Sequence, residues 1–127
     1  MSVAEYNILI NERFRGERVI LRGHPQLRIT YVHAKNSLCP SNYSQAVCIR
    51  EGDLRVTLSI DGQEVTLSDH DRLRGEVSSV EVGGEKYLFQ GLRPLIRDRS
   101  REQTYLVFSV SRPESEPPPF YQSARRN

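Results

Sequence analysis

Three histidines, His24, His33 and His70, and two cysteines, Cys39 and Cys48, are the side chains of this 127-residue chain best suited to metal or nucleophilic chemistry. Only Asp69-His70-Asp71 sets an imidazole beside carboxylates. That triplet could lend one or two ligands to a metal, but neighbours on a strand point to opposite faces, so all three converge only in a turn. The plainer reading is an exposed polar turn after the strand that ends at Leu67. His33 follows the alternation of Leu27, Ile29 and Tyr31, which predicts a core or rim histidine with one nitrogen satisfied. Cys39 sits beside Pro40 in a loop and Cys48 alternates into an apolar strand position. Nine residues apart and without a C-x-x-C pair, they write no zinc knuckle, disulfide framework or catalytic cysteine signature, and a single disulfide stays open. Gly52 and Gly83-Gly84 are followed by no helix start, so they build no phosphate cradle. The expectation is a protein that is not an enzyme and carries no metal or cofactor.

Recognition chemistry is concentrated at the C-terminal end, in Pro113-Glu114-Ser115-Glu116-Pro117-Pro118-Pro119-Phe120-Tyr121. Three successive prolines fix φ and remove backbone donors, which excludes helix and sheet interior and leaves an extended polyproline II rod. Two aromatics and then Arg125 and Arg126 follow it. Three readings stand side by side. The first is a solubilising end too polar to fold. In the second, Pro118, Pro119 and Tyr121 form the Pro-Pro-x-Tyr ligand of WW domains, which grip such a rod in an aromatic groove and would recruit a ubiquitin ligase or sorting factor. In the third, the segment is an arm that packs on a neighbouring copy, with Phe120 and Tyr121 as anchors and Arg125 and Arg126 pairing with acids.

A second set of candidates lies in the stretch from Gly91 to Glu102, which reads as a charged loop carrying Arg93, Arg97, Arg99 and Arg101. Loops held on a rigid β scaffold are where binding residues usually sit. Of the eighteen bases only Lys35 and Lys86 are lysine, and guanidinium forks suit interfaces better than strongly hydrated ammonium groups. The net charge is only +2, with acids interleaved, so a polybasic wrap around phosphates is excluded. A single-strand nucleic-acid surface remains open, built from Arg28 and Arg55 with Tyr87, Phe89 and Tyr105 as stacking platforms.

These side chains must be held by strands. Leu54, Val56, Leu58 and Ile60 alternate with polar residues, Asp61-Gly62 supplies a tight turn, and Val65 and Leu67 resume the alternation. A second hairpin runs from Val80-Glu81-Val82 through Gly83-Gly84 into Tyr87-Leu88-Phe89. Further strands are expected at Tyr6 to Ile10, Arg18 to Arg22, Leu27 to His33, Ala46 to Arg50 and Thr104 to Ser111, the last with Leu106, Phe108 and Val110 on one face. No stretch of ten residues carries helical spacing, so helix is limited to a turn. The fold class is therefore all-β, an antiparallel sandwich or barrel over residues 1–112, jelly-roll-like if the connections are long, with residues 113–127 as an extended arm.

The Ile49 to Thr57 segment, followed by Gly62 and Asp71, resembles the strand-turn rhythm of cupin barrels. The His-x-His pair and later histidine of metal-binding cupins are missing, so the likeness carries no activity. The stretch from Gly62 to Arg74 is loosely similar to the end of phosphopeptide-binding FHA domains, and Gly23-His24 does not match their early Gly-Arg. Met1 to Tyr6 lacks the basic and apolar regions of a secretory signal, and no apolar run is long enough to span a bilayer. Asn42-Tyr43-Ser44, a glycosylation sequon by pattern, is then only a polar loop, and a cytoplasmic or virion-associated protein is expected.

The expected function is that of a structural or interaction subunit of a larger assembly, such as a virion or phage particle. It would self-associate or meet other subunits through Pro118, Pro119, Phe120, Tyr121, Arg125, Arg126 and the arginine loop. Recruitment of WW-domain proteins and single-strand nucleic-acid binding are the alternatives.

Overall fold

The computed structural model describes residues 3–37, 53–97 and 103–113, and in these the chain is an all-β sandwich of two antiparallel four-stranded sheets. Sheet I has the order β1 (Val3–Leu9), β8 (Thr104–Ser111), β7 (Glu85–Ile96), β6 (Ser78–Val82). Sheet II is a meander of β2 (Arg18–Val19), β3 (Ile29–Asn36), β4 (Leu54–Ile60) and β5 (Gln63–Ser68). Within each sheet neighbours follow chain order except where β1 joins β8, so the described strands run up-and-down. A single 3₁₀ turn (Glu12–Phe14) and one four-residue helix, α1 (Asp71–Arg74), are the helical elements among the described residues. No helix among them is long and apolar enough to cross a membrane. Cys39, Cys48, the sequon and the expected strand from Ala46 to Arg50 lie outside the described residues.

Both hairpins close as their turn residues dictate. Asp61 and Gly62 take φ of 53° and 84°, and Gly83 and Gly84 take 60° and 82°. Two successive positive φ values match the twist of the flanking strands and set the registers Ile60↔Gln63 and Val82↔Glu85. Alternation then sends Val56, Leu58, Ile60 and Leu67 of sheet II against Val80, Phe89, Leu106, Phe108 and Val110 of sheet I, all essentially without solvent contact. Each such side chain contributes about 1.5–3 kcal/mol through its burial. Phe89 and Phe108 stack with ring centroids 6.3 Å apart. Tyr31 closes one end of the core. Its hydroxyl accepts a hydrogen bond from the Asn11 N–H at 2.8 Å, and burial pushes its pKa up to about 12.

Each sheet carries one β-bulge in its long strand, between Tyr31 and His33 in β3 and between Gly91 and Arg93 in β7. A bulge adds one residue to one strand and so moves every later side chain to the other face. Of the core or rim position that its spacing from Tyr31 predicts, His33 therefore does not take the core one. It pairs with Thr57 on the exposed face of sheet II, and Ala34 takes the buried position.

The sandwich is sealed where β5 meets β6 and β7. The Gln63 amide donates to the Glu81 carbonyl at 2.7 Å and accepts from the Glu81 N–H at 3.3 Å, acting as a strand rung between the two sheets. Further along, Asp71 Oδ2 accepts from the backbone N–H groups of Ser68 (3.0 Å) and Gly91 (2.9 Å). The strands approach so closely here that a Cβ on Gly91 would lie 1.9 Å from the Ser68 carbonyl oxygen.

Candidate interaction face

Asp69-His70-Asp71 does form a turn after β5, but not an exposed one: Asp69 and Asp71 are buried, and their carboxylates serve the backbone. Asp69 Oδ1 accepts from the Leu54 N–H at 3.0 Å, and Asp71 holds the seam. Among the described residues no group of three His, Cys, Asp or Glu side chains is placed to hold a metal ion. His24 stands at the other end of the sandwich. The Gly23 N–H donates to the Tyr6 hydroxyl at 3.0 Å, and that hydroxyl is hydrogen-bonded to His24 Nδ1 at 2.8 Å. Tyr87 meets the imidazole edge-on and takes a hydrogen bond from Gln26 at 2.9 Å. Burial, aided by the Arg112 charge, lowers the His24 pKa and so favours the neutral ring. The cluster ties the loop between β2 and β3 to sheet I. His33 is held by the 3₁₀ turn instead. Its Nδ1 lies 2.9 Å from Glu12 Oε2, while Glu12 also takes the Ala34 N–H at 2.5 Å and the Arg15 guanidinium at 2.6 Å. The Ala34 hydrogen bond first, with the Arg15 contact, holds the Glu12 pKa below its usual value.

The outer face of sheet I is the region that alternation alone does not account for. Its register aligns Leu9, Tyr105 and Leu95 in one row across β1, β8 and β7, with Asn7, Val107 and Arg93 in the next. All six point away from the core, yet Leu9, Tyr105 and Leu95 are only half-buried and Val107 is 5% exposed. Arg93 spans β8 to reach Glu5 at 3.6 Å, passing over Val107. The Arg97 guanidinium lies over the Tyr105 ring, 5.4 Å from its centroid. The result is a short apolar band with an aromatic at its centre and two guanidinium groups at its margin, the composition that interface cores favour.

Arg93 and Arg97 both border this band, but Arg93 lies on a strand and not in the loop expected for it, because β7 continues to Ile96 through Pro94. Proline is tolerated there since β6 pairs only with Glu85 to Phe89, leaving β7 without a partner on that side. The stacking surface expected from Tyr87, Phe89 and Tyr105 is not assembled. Tyr87 and Phe89 are core residues, and Arg55 lies on sheet II, held by Asp53 at 2.8 Å. Asp53 is itself held below its usual pKa, burial being outweighed by hydrogen bonds from Arg55 and Ser37. Arg99, Arg101, Pro118, Pro119, Phe120, Tyr121, Arg125 and Arg126 lie outside the described residues. The apolar band left one trace in the sequence: Tyr105-Leu106-Val107-Phe108 is a continuous apolar run, the mark of a strand that buries both faces. No family model, curated protein or solved structure matches this chain.

Proposed function

We propose that the protein is a non-enzymatic subunit of a larger assembly that binds a neighbouring copy of itself through the outer face of sheet I. The observation that carries this reading is the Leu9–Tyr105–Leu95 row with Val107 beside it, an apolar band turned away from the core and flanked by Arg93 and Arg97. Sheet I has no second layer on this face among the described residues, and apolar strand faces gain about 25 cal/mol per Å² when covered. A particle such as a virion is the kind of assembly in which a small, arginine-rich sandwich would serve. The test is the solution mass of the full chain by light scattering over a range of concentrations, beside Tyr105→Glu. A defined oligomer lost in the variant supports the reading, and a full chain that stays monomeric at every concentration overturns it.

One observation favours single-strand nucleic-acid binding as a second reading: the Arg97–Tyr105 stack is the unit on which bases are held. It predicts binding of an oligonucleotide that weakens steeply with salt, and filter binding that shows none at low salt removes it.

A further inference from the structure

Resting on the assembly reading above, we infer that the occupant of the sheet I face is the proline-rich segment Glu114 to Pro119 of a neighbouring copy, laid across Tyr105. Three features of the face match this segment and little else in the chain. Pro117, Pro118 and Pro119 carry no N–H with which to extend a sheet edge, so this stretch docks by packing proline rings on an aromatic surface, and Tyr105 is an aromatic of this face. Glu114 and Glu116 precede the three prolines, and the guanidinium groups of Arg93 and Arg97 border the band that would receive them. Leu9 and Leu95 flank the ring in its own row as apolar floor, with the nearly covered Val107 in the next row.

Chain length decides between the molecule's own tail and a neighbour's. Arg112 is anchored at the far end of sheet I, where its guanidinium pairs with Glu85 and lies 5.9 Å from the centroid of the Tyr87 ring. Tyr105 is seven residues back along β8, about 23 Å at the strand rise. Pro117 to Pro119 lie five to seven residues beyond Arg112, about 16 to 22 Å in polyproline II geometry. A straight rod only about matches the distance to its own Tyr105, and returning over the sheet would use further residues to reverse direction. The face of a second copy carries no such restriction. The arm is therefore better placed to work between molecules, which makes the contact a device for assembly and not a lid on the single chain.

The experiment uses full-length protein and reads the association constant by sedimentation equilibrium. Three variants are compared with wild type: Pro117, Pro118 and Pro119 all changed to Ala; Arg97→Glu; and Arg97→Glu combined with Glu116→Arg. The proline variant leaves every core residue intact, so its folding is checked simply by an unchanged circular dichroism melt. We expect the proline variant and Arg97→Glu each to weaken association at least about tenfold, and the combined variant to recover most of the loss. Association unchanged in the proline variant but lost in Tyr105→Glu overturns this inference while leaving the assembly reading intact. A wild-type chain that is monomeric throughout overturns both. A monomer in which the proline variant raises the solvent exposure of Tyr105, read by hydroxyl-radical labelling, shows docking within one molecule and also overturns the inference.

Discussion

The two β-bulges are built alike and used differently. In β3 the extra residue turns His33 outward, and the side chain arrives among partners: Glu12 and Arg15 from the 3₁₀ turn take it up, with Thr57 and Thr66 hydrogen-bonded at 2.9 Å in the same row. In β7 the extra residue turns Arg93 outward, and it arrives beside Val107, Leu95 and Tyr105, with the exposed Glu5 as its ion-pair partner among the described residues. Sheet II thus finishes its outer face with hydroxyls and ion pairs that satisfy one another. Sheet I leaves apolar surface under a thin cover of guanidinium groups. One structural device therefore completes a surface in the first sheet to receive it and prepares a surface for something else in the second.

Breaking the β7 bulge is expected to have the largest effect, because its geometry is tied to the seam of the sandwich. Gly91→Ala would place a methyl group 1.9 Å from the Ser68 carbonyl, a backbone overlap that no side-chain rotation relieves. A loss of about 3–5 kcal/mol is expected, a large share of the stability of a domain this size. Asp71→Ala attacks the same point electrostatically. It leaves the Ser68 and Gly91 N–H groups buried without their acceptor, at about 1–3 kcal/mol each, whereas Asp71→Asn keeps an oxygen in place and should lose less. Urea unfolding followed by tyrosine fluorescence measures all three. If Gly91→Ala folds with near-native stability, the tight approach of β7 to β5 is not what positions Arg93.

Much of the framework could be read before the structure, and the limits follow the physics of strands. Asp61-Gly62 and Gly83-Gly84 announced their hairpins because only residues tolerant of positive φ serve there. The alternation of Leu106, Phe108 and Val110 gave β8 its limits and its inward face. A bulge leaves no such mark: it is one ordinary residue whose insertion is visible only as a register change. That is why His33 was expected at the core or its rim, in register with Tyr31, and why Arg93, placed after Gly91 and before Pro94, read as part of a loop. The candidate face was harder still, since Leu9, Tyr105 and Leu95 are far apart in sequence and become a row only when β1, β8 and β7 pair. Arg97 and Tyr105 were both picked out in the sequence, but not as partners.

Acid should open the sheet II bulge by a smaller, titratable step. Glu12 has its pKa lowered by the Ala34 N–H, so its charged form is favoured in the folded protein. Stability from that charge is complete above the ordinary value of 4.5 and is lost as pH falls through the lower folded value. The gap in urea midpoint between wild type and Glu12→Gln should therefore hold constant from neutral pH down to about 5 and close on further acidification. A gap that stays open at pH 3 would mean that packing of the 3₁₀ turn, and not the carboxylate charge, holds His33 and Ala34.

The smallest effect on stability is expected on sheet I, and it sharpens the contrast most. Arg93 and Glu5 are both more than half exposed and meet at 3.6 Å, a geometry whose measured worth is generally below about 1 kcal/mol. Glu5→Gln should therefore move the unfolding midpoint hardly at all, while freeing the Arg93 guanidinium for a carboxylate from outside the molecule. If sheet I is a face prepared for a neighbour, association of the full chain should strengthen in Glu5→Gln at constant stability, and added salt should reduce the gain by screening. A variant destabilised without any change in association would place Arg93 in the same class as His33, a side chain turned outward and consumed by its own sheet, and the difference between the two bulges would vanish.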